Sequence, residues 1–298
     1  MSSRVLAYPG CPTLSWMIAS RVTNPHEESD AFISFTGRKG SSKSTSSIAF
    51  CEGLADDIAM LRNKGEEPTQ FFNINHVKSI TERGAVDILT SGILKQKNSI
   101  ILLDDTGTQW GSRQFQSIIN KTLNSIVQIC RVYQCVLVAN FIMAGMVDLQ
   151  ARQLQDYRAQ MLYKDVSTGQ AFFKFFYIEQ GDHGEYKKYL TWRGMRIKTW
   201  IIEKPSEELY AEYKKMRHEN TDQYIEDAQK KLEEKYNPAP KVDHRYTNYA
   251  THPVVIKNRD KVMALTDAGK KVERIVRETG LTRYWIQRIQ ALKKEEED

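Results

Sequence analysis

At 298 residues, with 41% hydrophobic and 27% charged side chains, the chain has the length for one sizeable core plus a small accessory domain and the balance of a soluble globular protein. A net charge of +6 permits an acidic partner such as nucleic acid without demanding one. Four scattered cysteines, with no C-x-x-C and no second Cys/His pair at zinc-ligand spacing, argue against a disulfide scaffold or a structural zinc site. The longest apolar run, Cys135–Val147, is too short to span a bilayer, and no apolar secretion segment opens the chain, so a cytoplasmic protein is expected.

In chain order, residues 1–30 carry Pro9, Pro12 and Pro25 and read as an irregular N-terminal arm. "AFISF" (31–35) is a short buried strand, and Ile48, Ala49, Leu54, Ile58 and Leu61 recur at helical spacing over 44–62. "QFFNIN" (70–75) reads as a strand and "TERGAVDILTSGILK" (81–95) as a helix with Thr81 as N-cap. "SIILLDD" (99–105) is a nearly continuous apolar run ending in two carboxylates, as in a central parallel strand. A helix over 112–133, the strand "CVLVANF" (135–141), a helix over 146–160 and a hairpin over 171–194 follow. The alternation predicts an α/β fold, a three-layer sandwich around a mostly parallel sheet, over 31–204. A charged helix (205–236), a linker (237–254) and a small all-α module (255–298) complete the expected organisation.

The run Gly37-Arg38-Lys39-Gly40-Ser41-Ser42-Lys43-Ser44 matches the phosphate-binding pattern G-x-x-x-x-G-K-[ST] between a buried strand and a helix, with Ser42 in place of the second glycine. Backbone N–H groups from Gly37 to Thr45 would form an anion nest, Lys43 would reach the outer phosphates of ATP, and Ser44 would ligate Mg²⁺. If Ser42 is forced to positive φ, the cost is about 1–2 kcal/mol. "IILLDD" places Asp104 at a strand tip as the second metal-side group, with Asp105 beside it as a candidate base. An additional strand is expected between the two motif strands, supplied by the segment between Lys43 and Asp104. His76 is expected near the same cleft.

The segment "QICRVYQCVLVANFIMAGMVDLQARQLQDY" (128–157), taken with the loop and Asp104, resembles the FtsK–HerA superfamily of DNA-pumping ATPases, which includes viral packaging ATPases and Zot-like proteins. That resemblance implies that Arg131 and Arg152 are candidate arginine fingers, Arg131 first, and that Asn140 stands where those families carry a polar sensor, usually Gln. Asp148 falls at the acidic position that follows it. In those families Asp105 would correspond to a Glu and is one methylene shorter. The resemblance further implies a homo-oligomer, a hexameric ring, acting on double-stranded DNA, with a capsid or portal component as a further candidate partner.

"KKVERIVRETGLTRYWIQRIQALKK" (270–294) carries a helix-turn-helix pattern, with Gly280 in the turn and Ile275, Val276, Leu281, Ile286 and Ile289 on the inner faces. Thr282, Arg283, Tyr284, Gln287 and Arg288 would face outward as donors to phosphates and base edges. Between Val255 and Lys294 eleven Lys or Arg stand against four Asp or Glu. The expected function is an ATP-driven motor that translocates double-stranded DNA. The alternatives are a ParA-like DNA-segregation switch and a nucleotide-binding DNA regulator with little hydrolysis.

Overall fold

The computed structural model describes residues 5–6, 10–27, 29–79, 82–104, 118–143, 149–181, 184–236 and 253–297. The chain divides into two compact units, Met1–Asn220 and Thr221–Asp298.

The larger unit is built on one mixed sheet. Its strands are β1 (Val5–Leu6), β2 (Ala31–Thr36), β3 (Val77–Ser79), β4 (Ile100–Asp104), β5 (Val136–Phe141), β6 (Tyr157–Lys164), β7 (Ala171–Gly181), β8 (Gly184–Tyr189) and β11 (Trp200–Ile202). They lie in the order β1-β11-β7-β6-β2-β5-β4-β3, with β8 paired to β7 off that path. From β6 to β3 every pairing is parallel, and from β6 outward through β7 to β11 and β1 every pairing is antiparallel. β9 (Thr191–Trp192) and β10 (Met195–Arg196) make a separate small hairpin.

Two faces of the sheet are covered because the central strands are apolar on both sides. On β4, Ile100 and Leu102 point into one core while Ile101 and Leu103 point into the other. The first core is closed by α1 (Leu14–Val22) and α2 (Lys43–Arg62), through Leu14, Ile18, Val22, Ile48, Phe50, Leu54 and Ile58. The second is closed by α4 (Glu82–Thr90) and α5 (Ile118–Tyr133), through Ile88, Ile126, Val127 and Cys130. Cutting any of these aliphatic side chains to alanine costs about 2–5 kcal/mol. The result is the expected three-layer α/β fold, of P-loop NTPase type. The parallel order β6-β2-β5-β4-β3 inserts one strand between the loop-bearing β2 and the Asp104-bearing β4.

Several expectations are corrected. Residues 1–30 are not irregular throughout: Thr13 caps α1 by accepting from the Trp16 N–H at 3.1 Å, and Leu14, Ile18 and Val22 recur every four residues to join the core. "QFFNIN" is not a strand. Pro68 stands in the first turn of the short α3 (Pro68–Phe71), where its missing N–H costs nothing, and Asn73 then caps a 3₁₀ turn over Ile74–His76. The strand follows at β3, on the sheet edge. The strand inserted between β2 and β4 is β5, from the chain after Asp104 rather than before it.

Of the helix expected over 146–160, the described residues are helical over α6 (Leu149–Gln153), and residues 146–148 lie outside them. Tyr157 onward is β6, held between β2 and β7; its first three residues are all buried, which erases the alternation that marks a half-exposed strand. The expected helix over 112–133 is described from Ile118. Residues 237–252 of the expected linker lie outside the described residues, and Pro253 and Val254 already belong to the next helix.

The charged helix α7 (Glu207–Tyr236) contains the unit boundary. In the smaller unit, α8 (Pro253–Asp267), α9 (Val272–Thr279) and α10 (Arg283–Glu297) enclose Val255, Val262, Ile275, Ile286 and Ile289. Gly280 ends α9 at φ 69°, in the left-handed region that glycine enters without penalty, and turns the chain into α10. Among the described residues no helix is long and apolar enough to cross a membrane, and all four cysteines are free thiols.

Candidate functional site

β2, buried along its whole length, delivers the chain to Gly37 at the C-terminal edge of the parallel sheet. A Cβ at Gly37 would stand 2.8 Å from Ser41 Oγ and 2.9 Å from Met161 Cβ, so only glycine lets the loop pass. Gly40 takes φ 81°, and Ser42 is held at φ 63°, the strained outcome anticipated for the residue replacing glycine. α2 then starts at Lys43 with no side chain of Ser42 capping its first N–H groups. The first N–H groups of α2, which the Ser42 side chain leaves uncapped, and the positive end of a 20-residue helix thus meet at one point of the loop. Lys43 folds back over that loop, its Nζ donating to the Gly37 and Arg38 carbonyl oxygens at 2.7 and 2.9 Å. Arg38, Lys39 and Gly40 are exposed, and Ser41 and Thr45 are half-buried on either side of the turn.

Asp104 ends β4 opposite the start of α2. Its Oδ1 accepts from Ser44 Oγ at 2.9 Å and from Asn140 Nδ2 at 2.8 Å, and Asn140 Nδ2 also lies 2.9 Å from Ser47 Oγ. Three strands and one helix therefore place the loop, the carboxylate and the polar residue of β5 within one hydrogen-bonded group. The hydroxyl of Ser44 and the carboxylate of Asp104 are hard oxygen donors of the kind Mg²⁺ takes when it keeps several waters and binds phosphate oxygens. The described residues contain no cluster of three or more His, Cys, Asp or Glu able to hold a metal by themselves. A divalent ion here would accordingly draw most of its ligands from phosphate and water.

A cavity of about 420 Å³ opens beside the loop, lined by Gly37, Arg38, Ser41, Arg158, Gln160 and Lys187 among others. Arg158 is 2% exposed and is neutralised by Glu185, with contacts of 2.6 and 2.8 Å. That guanidinium holds the Glu185 carboxyl below its ordinary range.

The remaining expected residues are dispersed. Arg131 is exposed at the end of α5 and near enough to Asp30, just before β2, to lower the Asp30 pKa against the larger upward effect of burial. This is the edge of the sheet where β2 begins, and the loop lies at the other end of that strand, roughly 20 Å away for a strand of this length. Arg152, on α6, is half-buried, and its charge is felt by Glu185. His76 is buried, with Nδ1 2.8 Å from the Phe71 carbonyl oxygen and its ring edge-on to Phe72; burial lowers its pKa. Asp105 and Asp148 lie outside the described residues. On α10 and the turn before it, Thr282, Arg283, Tyr284 and Gln287 are exposed and Arg288 is half-buried.

One member of the site was not anticipated. Tyr213 of α7 reaches Asp104, its hydroxyl donating to Oδ2 at 2.5 Å. Burial first, and the neighbouring Asp104 charge second, push the phenol pKa up. The sequence signal is the helical spacing of Leu209, Tyr213 and Met216 within a highly charged helix, all three of which pack on the core.

No family model matches the sequence, and comparison with curated proteins gives no match. Among solved structures, the N-terminal domain of zonular occludens toxin from Neisseria meningitidis is 13% identical, covering 55% of this chain and 95% of that one, with a TM-score of 0.32. The genome packaging NTPase B204 from Sulfolobus turreted icosahedral virus 2, in complex with ATP-gammaS, is 12% identical over 46% of this chain and 78% of its own, at 0.29. EssC (ATPases 2 and 3) from Geobacillus thermodenitrificans is 10% identical over 72% of this chain and 46% of its own, at 0.35. These likenesses are slight, and the chemistry of the site rests on its own geometry.

Proposed function

We propose that the chain is an ATP-hydrolysing, ring-forming motor that moves double-stranded DNA. The observation that carries the nucleotide reading is the Ser44–Asp104 hydrogen bond, which joins residues 60 apart in sequence at the uncapped start of α2, beside Lys43. The N–H groups and Lys43 would hold the triphosphate. Ser44 and Asp104 would hold Mg²⁺, which when bound supplies charge neutralisation at the outer phosphates. Asp105, next along the chain, is the proposed base toward the attacking water, and Asn140 keeps Asp104 in place. The cavity beside the loop, about 420 Å³, is in the size range of small-molecule sites.

Arg131 supports the ring. At the far edge of the sheet from its own loop it is poorly placed to serve its own phosphates, so as a finger it would serve the loop of a neighbouring copy. Support for DNA comes from the smaller unit: a short turn at Gly280 sets α10 against α9 in the manner of a helix-turn-helix, with Thr282, Arg283, Tyr284 and Gln287 exposed and Arg288 half-buried.

The test is steady-state ATP hydrolysis by the full chain with and without duplex DNA. Stimulation by DNA, and six-fold particles in ATP and Mg²⁺, are expected; binding without turnover would replace the motor by a regulator, and a closed dimer would replace it by a switch. Mixing Arg131→Ala with Lys43→Ala should restore part of the rate lost in each, because a mixed interface pairs an intact loop with an intact arginine. Arg283→Ala and Arg288→Ala should weaken DNA binding and lower its salt slope by about 0.9 log units for every phosphate left without its cation.

A further inference from the structure

The geometry assigns to Tyr213 the role of a positioning residue for Asp104: its hydroxyl fixes the carboxylate oxygen that Ser44 and Asn140 leave untouched, so that the carboxylate meets a phosphate-bound divalent ion in one orientation. This rests on reading Ser44 and Asp104 as the metal side of a nucleotide site. Ser44 and Asn140 both donate to Oδ1, and Tyr213 alone among the described residues donates to Oδ2. A carboxylate offers about four lone-pair positions. Three are filled, and the fourth stays on the oxygen that Tyr213 steadies.

The hydroxyl is not explained by packing. Between residues 207 and 222, Tyr213 is the only buried side chain of α7, at 2% exposure. The ring packs into the core beneath the sheet, a place phenylalanine would fill equally well without bringing a polar atom that must find a partner. The start of α7 is anchored independently, since the Ser206 N–H donates to Glu52 Oε2 of α2 at 3.0 Å. The helix that carries Tyr213 and the helix that carries Ser44 are thus joined, and the phenol oxygen is delivered to Asp104 by a fixed support. Partners of this kind, which touch a metal ligand rather than the metal, set ligand orientation and affinity.

The experiment titrates Mg²⁺ into the full chain with a fluorescent, non-hydrolysable ATP analogue and compares wild type with Tyr213→Phe, which keeps the ring. The Mg²⁺ concentration for half-maximal binding should rise about 10- to 100-fold in the variant, while the affinity measured in EDTA stays at its wild-type value. Tyr210→Phe, which alters the neighbouring ring 6.4 Å away, should leave the Mg²⁺ requirement unchanged. An unaltered or reduced Mg²⁺ requirement in Tyr213→Phe overturns the assignment, the latter by showing that the phenol competes with the ion. Equal weakening in Mg²⁺ and in EDTA also overturns it, because that is the signature of a packing role. Failure of the underlying reading is seen separately, in wild type, as no nucleotide binding or no response to Mg²⁺.

Discussion

Asn140 of β5 donates its side-chain amide to Asp104 of β4 at 2.8 Å, from a position 3% exposed to solvent. A neutral donor there stabilises an ionised neighbour. Asn140→Asp would set two carboxylates against each other in the same buried space, where both cannot ionise cheaply. The variant is expected to lose about 1–3 kcal/mol. Urea unfolding checks this; an unchanged midpoint would mean that the amide contributes nothing to holding Asp104.

Ser42 stands at φ 63° where glycine would be at ease. Ser42→Gly should therefore stabilise the chain by about 0.5–1 kcal/mol, the left-handed penalty less the entropy of a freer unfolded glycine, and leave nucleotide binding intact. Gly37→Ala should do the reverse, because its methyl would meet Met161 Cβ at 2.9 Å and push the loop away from β6. Thermal unfolding and nucleotide titration of the two variants measure both effects.

Lys43→Ala removes the ammonium that bridges the Gly37 and Arg38 carbonyl oxygens. Nucleotide affinity is expected to fall at least about 10- to 100-fold, matching one charge-assisted hydrogen bond of ~1.5–3 kcal/mol. Equilibrium titration with ATP reads this directly, and an unchanged affinity would remove the loop from the site.

The Glu185 carboxyl is held below its ordinary range by Arg158, whose side chain is 3% exposed. The folded pKa lies under the unfolded value of about 4.3, so the pair stabilises the chain above that pH and the contribution is lost as pH falls through the folded value. Glu185→Gln should remove the anion facing Arg158 while Gln155 still accepts from it at 2.9 Å, and with the carboxylate partly open to solvent the cost is about 1 kcal/mol at pH 7. The difference from wild type should shrink toward pH 3, as urea midpoints across that range would show.

What the sequence made legible followed the reach of each rule. The loop was readable because its spacing is local: a buried strand, Gly37, Lys43 and Ser44 occur within one turn of chain, and Asp104 closes an apolar run. Strand β6 was not, because "YRAQ" is pinned between two neighbours and its burial hides the alternation; helix-forming residues were overridden by the sheet. Helix α1 was obscured by the prolines around it, although Thr13 and the four-residue spacing of Leu14, Ile18 and Val22 were present. Tyr213 left only the helical spacing it shares with Leu209 and Met216, which marks a packed face and not a site. It lies 109 residues from Asp104, in a helix whose charges describe its wet face and not the single turn that enters the site.

The place of β2 in the sheet has a consequence for how the protein is made. Both of its partners come later: Ala31 pairs with Val136, and Ile33 with Tyr157. A nascent chain must thus carry the loop through synthesis of about ninety further residues before either neighbouring strand exists to hold it. Closing so long a segment costs entropy before any pairing repays it, which slows the step and leaves an apolar strand exposed meanwhile. A ribosome-bound chain ending short of β5 would hold every residue of the 37–45 loop without either of the strands that set its position.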